Sequence, residues 1–240
     1  MDKVPSLTVF TDILYDSRNS TNAEFTMGDL QTMVKAENKL KGSLRNIVNL
    51  PISTANIQAG HDWYIEANVV AKTVGVLAGY ANDEAIKVGA GILSALSPMR
   101  DWDLNIAISL LLVTKGTRKH FVVQHNKALA IMQGRDPMKV LGARATKTKA
   151  FYQAIIEPNN DTTKSVIDRH AVAVYMGRSV SDRELKALDS NKVYDRIANA
   201  YLRASKETGL NHHILQAMTW TQWRQDKGYS QSSSRQLATE

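Results

Sequence analysis

The sequence predicts an all-α protein, and three observations carry that reading. Apolar residues recur at three- and four-residue spacing along most of the chain, and small polar residues able to cap a helix stand ahead of several of these stripes. Hydrophobic residues make up 43% of the 240 positions and are evenly spread, enough for a sizeable buried core. One helical domain over 29–226 is the simplest organisation, with an arm at 1–28 and a polar tail at 227–240 expected to be disordered.

Composition narrows the function classes. With 30 basic and 23 acidic residues the net charge is +7, which favours a polyanionic partner. The chain has no cysteine, which excludes disulfides, thiol catalysis, zinc–thiolate sites and iron–sulfur clusters. The opening MDKVPSLTVFTD lacks a signal-peptide core, and the apolar run Ile106 to Val113 is too short to span a bilayer. A soluble cytoplasmic protein is expected, in the host cytoplasm if viral. No P-loop, GxGxxG, HExxH or internal repeat occurs, and no residues suggest a metal site or a cofactor.

In chain order, Leu30, Met33, Val34, Leu40, Leu44, Ile47 and Val48 form one apolar stripe, so the spacing predicts a helix from Asp29 to Leu50 that Pro51 closes. After a loop to Gly60 and His61, Asp62 can cap a second helix that follows it through about Tyr80, with Trp63 and Tyr64 as core anchors more than a base-stacking platform. Asn82 and Asp83 would cap the small-residue helix Glu84 to Leu96, whose Gly89, Ala90, Gly91 and Ala95 permit close approach. After Ser97-Pro98, Asp101 can cap a helix running to Thr114. Met99, Arg100 and Trp102 fit two readings, residues that wedge into a base stack or an ordinary loop with a buried Trp. Asn105, one turn inside, either holds that loop or touches substrate. Lys115 to His125 concentrates Arg118 and Lys119 with other cations and could lie along a phosphate backbone. Ser181 to Glu184 is patterned as a capping box. Val193, Tyr194, Ile197, Ala198, Tyr201 and Leu202 mark the next buried stripe, Gly209 ends it, and Asn211 opens a last helix whose tryptophans read as core.

The organising stretch is Ala143 to Gly177. It reads as a helix carrying Lys147 and Lys149, a polar break from Pro158 to Thr163, and a second helix with Asp168 at its entrance. Unpaired N–H groups at a helix mouth favour a carboxylate, so one acid is placed opposite a lysine-bearing helix.

Lys147 stands 21 positions before Asp168 and Lys149 stands 19 before it. That spacing, with Asp168-Arg169-His170, resembles the lysine and Asp-x-His signature of the helix-hairpin-helix DNA glycosylases. Upstream, Gly91 to Ser97 followed by Asn105 is similar to a second segment of that superfamily, with Leu96 where a DNA-probing Gln often stands. Leu141-Gly142-Ala143-Arg144-Ala145-Thr146 keeps one glycine of its Gly-x-Gly hairpin. Ser97-Pro98 with Trp102 and Asn105, Leu141-Gly142, Lys147 to Tyr152, Ile167 to Ala171 and the terminal Trp-rich helix look more like glycosylase-related proteins of tailed bacteriophages.

The resemblance implies a helix-hairpin-helix DNA glycosylase-like helical bundle. It also implies catalysis by Asp168 with Lys147 or Lys149, His170 orienting the helix end, and DNA contacts from Arg100, Trp102, Asn105, Arg118, Lys119, Arg144 and Arg169. The partner would be DNA, expected double-stranded with a modified pyrimidine, and a free amino acid is the implied co-substrate. The residues alone suit two chemistries, base excision and displacement of phosphate from the 5-methylene of an activated pyrimidine by an amine. The phage-like pattern favours the second, an amino acid to DNA transferase acting on phosphorylated 5-hydroxymethyl-uracil. An N-glycosylase is the alternative and a non-enzymatic DNA-binding protein the third reading.

Overall fold

Ser43, Ser53, Asp101, Asp136, Asp168, Ser181 and Asn211 each accept a hydrogen bond from a backbone N–H of the helix that follows. These caps set the punctuation of the computed structural model, which describes residues 40–117, 121–160 and 163–229. Eleven α-helices lie among the described residues, with no strand. They are α1 (Leu44–Val48), α2 (Thr54–Leu77), α3 (Asn82–Leu96), α4 (Trp102–Lys115), α5 (Val122–Met132), α6 (Pro137–Leu141), α7 (Thr146–Ile156), α8 (Arg169–Met176), α9 (Asp182–Leu185), α10 (Asn191–Thr208) and α11 (His212–Asp226). None of them is long and apolar enough to cross a membrane. The arm at 1–28, Arg118 and Lys119, and residues 230–240 of the expected tail lie outside the described residues.

Helix α3 is the axle of the fold, buried continuously from Val88 to Leu96 and packed by α2, α4, α5, α6 and α7. Its glycine makes that possible. A Cβ on Gly89 would lie 1.8 Å from the Ala71 carbonyl oxygen of α2, and one on Gly75 of α2 would lie 1.8 Å from that of Ala85. The two backbones therefore touch where side chains would otherwise separate them. Helix α11 crosses α2 at a third such contact, Gly60 against Met218.

Four sequence expectations fail locally. Asn82 and Asp83 do not cap α3; both lie inside its first turn, and the N-cap position is Ala81, with no side-chain cap bond. The expected helix over 29–50 does not pass through 40–43, because Gly42 abuts Tyr175 and the Ser43 N–H bonds the Tyr175 carbonyl at 3.0 Å; α1 begins only after Ser43. Asp62 is no cap. Helix α2 starts at Thr54, eight residues before Asp62, and inside it Asp62 accepts from the Gln58 side chain at 2.7 Å. Residues 227–229 of the expected tail form a turn that lays the Tyr229 ring on His170, with centroids 5.0 Å apart.

Helices α6 and α7 are joined by Gly142 to Ala145, with Gly142 at φ 99 and ψ 157, a region that in practice only glycine occupies. Lys127 Nζ ties this turn down by donating to the Leu141 carbonyl at 2.7 Å. Beyond α7, Tyr194 of α10 fixes the approach to α8: its hydroxyl accepts from Ile167 N and donates to the Ser165 carbonyl. His212 and His213 hold the same segment through Ser165 and Thr163 at 2.8 and 2.7 Å.

A mixed-charge aromatic cleft as candidate functional site

Asp168 is the N-cap of α8, and both carboxylate oxygens are engaged. Oδ1 accepts from the Ala171 N–H at 2.8 Å and Oδ2 from the indole N–H of Trp220 at 2.9 Å. One bond comes from the helix that the acid starts and the other from α11, so the group is fixed on two sides while staying half-buried. Behind it, Tyr201 donates to the Ala171 carbonyl at 3.2 Å and stiffens the first turn.

This carboxylate opens onto a cleft of about 770 Å³, mouth included. Trp63 is the hub of its aromatic wall, with ring centroids 4.8 Å from Tyr64, 5.2 Å from Trp102, 5.8 Å from Trp220 and 6.0 Å from Phe151. Arg100, Lys147 and Arg224 bring positive charge to the lining; Asp101 and Asp168 bring negative charge. Aromatic walls with charges of both signs suit a flat polar ligand carrying an ionised group.

Lys147 reaches the cleft from the first turn of α7, which has no acidic residue and no side-chain cap. A cation at the positive end of a helix opposes the helix dipole, a local conflict characteristic of residues kept for function. Lys149 does not join it. Residues two apart on a helix point roughly 200° away from each other, and Lys149 lines a separate depression with Asn191 and Asp195. Its expected catalytic role is corrected on that geometry.

His170 lines the cleft with its ring half-buried, between Trp220 at 6.0 Å and Tyr229 at 5.0 Å. Burial lowers its pKa from the ordinary 6.5; Asp168 opposes the shift, and Arg224, Arg169 and Lys147 reinforce it. The imidazole is therefore neutral at pH 7, and Nε2 can accept from Arg224 Nη1, 3.5 Å away. Tyr64 is pushed well above its usual range by burial and next by the Asp168 charge, and it donates to Gln216 Oε1 at 2.8 Å.

Of the other residues expected at the site, Arg100, Trp102 and Asn105 line the same cleft. Trp102 is buried, and Asn105 Nδ2 donates to the Leu93 carbonyl at 3.1 Å, a bond to the last turn of α3 and not to the loop after it. Arg144 is exposed beyond Gly142, and Arg169 is exposed and paired with Asp182. Neither is among the cleft residues. Trp220, expected in the core, is part of the wall instead. Gln216 and Arg224 were not anticipated; the available signal was their spacing of four about Trp220, which puts all three on one face of α11, with the Arg224 guanidinium 4.5 Å from the Trp220 ring. No cluster of three or more metal-ligating side chains occurs among the described residues.

Fold and site define an all-helical protein with a mixed-charge aromatic cleft at the mouths of α4, α7 and α8. The chain belongs to the family described as "Family of unknown function (DUF7178)", which matches residues 31–227. No curated protein and no solved structure matches it.

Proposed function

We propose that the protein is a DNA base-modifying enzyme of a helix-hairpin-helix glycosylase-like kind, acting on an extruded pyrimidine in phage DNA within the host cytoplasm. Its reaction is the transfer of an amino acid onto phosphorylated 5-hydroxymethyl-uracil. The observation that carries this reading is that Lys147, 21 positions before Asp168, lines one cleft with Asp168 and His170 and with Arg100, Trp102 and Asn105. The helix pair α6–α7 with its Gly142 turn, followed by Asp168 at the mouth of α8, agrees with the order of elements that the sequence resemblance implies.

In this scheme the amine nitrogen bonds to the 5-methylene carbon as the carbon–oxygen bond to phosphate breaks. The amine proton passes to Asp168, and phosphate leaves with the bonding pair. Lys147 and Arg224 offset the charge that develops on the departing oxygen. Neutral His170, held between Trp220 and Tyr229, positions the base beside the acid. The aromatic wall gives a flipped base a surface to stack on, which offsets part of the few kcal/mol that unstacking costs.

The same lysine and acid would serve an N-glycosylase, with Lys147 attacking the anomeric carbon or Asp168 activating water. Mass spectrometry of nucleosides from DNA bearing phosphorylated 5-hydroxymethyl-uracil, incubated with the protein and amino acids, separates the readings. Transfer yields an amino-acid-substituted thymidine and free phosphate, excision yields abasic sites, and a DNA-binding protein yields neither product.

A further inference from the structure

We infer that Arg100 and Asn105 form a two-point seat for a small ligand that carries an anionic oxygen group beside an N–H donor. That chemistry is shared by a free α-amino acid and a pyrimidine nucleoside monophosphate.

Two residues that line the cleft carry buried polar atoms with no hydrogen-bond partner. Arg100 Nε and Nη2 are closed to solvent and make no hydrogen bond, although the guanidinium carbon sits 5.4 Å over the Phe121 ring. Asn105 is 2% exposed, and while its amide nitrogen is used on Leu93, Oδ1 accepts from nothing. Both residues line the cleft. Buried donors and acceptors are nearly always paired, so two orphans of opposite character in one cavity mark places that a ligand completes.

The acids nearby make their bonds elsewhere, and an ionised carboxylate has no donor to offer the amide oxygen. Asp101 Oδ1 caps Leu104, and the two oxygens of Asp168 take Ala171 and Trp220. The loop that delivers Arg100 is also strained. Met99 has φ 62, a left-handed conformation that L side chains rarely adopt, and its side chain is 89% exposed, so packing does not explain it. What that turn achieves is to place Arg100 at the cleft, one residue before the cap of α4.

A guanidinium presents parallel N–H groups that match a carboxylate or a phosphate, and an amide oxygen takes an ammonium or an imide N–H. A ligand bearing both groups answers both orphans. The inference rests on the base-modification reading for what the ligand is used for, but it is tested without DNA, so a missing ligand and a missing DNA product are separate failures.

The test is calorimetric titration of the full chain with the standard amino acids one by one and with dUMP, dTMP and 5-hydroxymethyl-dUMP, with acetate and inorganic phosphate as minimal anions. Saturable binding of a member of either class is expected, and the class that binds identifies the source. Arg100→Gln should weaken it roughly tenfold or more, with Arg100→Lys as a second variant that keeps the charge and loses the paired N–H geometry. Asn105→Ala should weaken the parent ligand but not its analogue lacking the N–H, the desamino acid or the N3-methyl nucleotide. The seat is overturned if neither class binds, if a minimal anion binds as tightly as the complete ligand, or if folded Arg100 variants bind like the wild type.

Discussion

The indole N–H of Trp220 donates a 2.9 Å hydrogen bond to Oδ2 of Asp168, joining the last helix to the acid that starts α8. Because Ala171 occupies the other oxygen, the carboxylate has little freedom to rotate. Trp220→Phe keeps a six-membered ring beside His170 and removes the donor together with the pyrrole part of the indole. It should cost about 1–2 kcal/mol of stability, as loss of a hydrogen bond to a charged group does, and under the proposed transfer reaction lower turnover roughly ten- to hundredfold through loosened positioning. Turnover equal to wild type would show that the indole bond is not what aims Asp168.

Asp168→Asn separates the chemistry from the cap. Asparagine caps a helix about as well as aspartate, so α8 should persist, with stability lowered by about 1 kcal/mol because the amide has one oxygen for two donors. Product formation should fall about 10²–10⁴-fold, the range expected for removal of a general base. DNA affinity measured by anisotropy should stay within roughly threefold. A fully active variant removes Asp168 from the mechanism.

The two lysines of α7 should part company. Lys147 faces the cleft and Lys149 faces away from it. Lys147→Ala is expected to reduce turnover about 10²-fold, the effect of losing one group that offsets developing charge. Lys149→Ala should leave turnover within roughly twofold. Equal losses in single-turnover assays would refute the assignment of one lysine to the site.

Close packing of α2 on α3 predicts a stability effect far from the chemistry. A Cβ at Gly89 meets the Ala71 carbonyl at 1.8 Å and the Gly75 nitrogen at 2.9 Å, and neither is a side chain that can turn aside. Gly89→Ala should cost at least about 3 kcal/mol and lower Tm by roughly 6–12 °C in calorimetry, provided the protein still folds. Gly209→Ala, at φ 70 with open space around it, bears only the backbone strain and should cost about 1 kcal/mol.

What could be read from sequence was whatever is encoded within a few residues. The caps Asp101, Asp168 and Asn211, the Ser181–Glu184 box and the Gly209 terminus are local hydrogen-bonding devices, and each appears where its pattern placed it. Asp62 misled because a carboxylate before two aromatics looks like a cap, whereas inside the helix it accepts from Gln58 one turn earlier and lies 3.1 Å from the adjacent His61 Nδ1. Ser53 was passed over for the same reason, since the real start lacks an apolar signal. The site was legible as a pair, Lys147 and Asp168, but not as an enclosure: Trp220, Gln216 and Arg224 lie some fifty residues further on, and only folding brings α11 across α2. Lys149 was a failure of periodicity, since neighbours two apart cannot share a helix face.

The buried histidine pair at the start of α11 predicts an acid-sensitive fold. His213 is fully buried, bonded to Thr163 at 2.7 Å, and its pKa is lowered from 6.5 to about 3, chiefly by burial, then by neighbouring His212, with Asn160 opposing. As pH falls below 6.5 the unfolded chain takes up a proton that the native ring refuses, so stability is full above that value and declines until the native pKa is reached. The slope should approach roughly 1 kcal/mol per pH unit between 6 and 4, and His170, lowered in the same direction, adds to its upper part. Urea titrations of wild type and His213→Gln at pH 7, 6 and 5, above the range where ordinary carboxylates titrate, measure it directly. The variant should be less stable at pH 7, because a packed ring is lost, and should lose less than wild type on going to pH 5. Parallel curves for the two proteins would mean that His213 takes up its proton without unfolding.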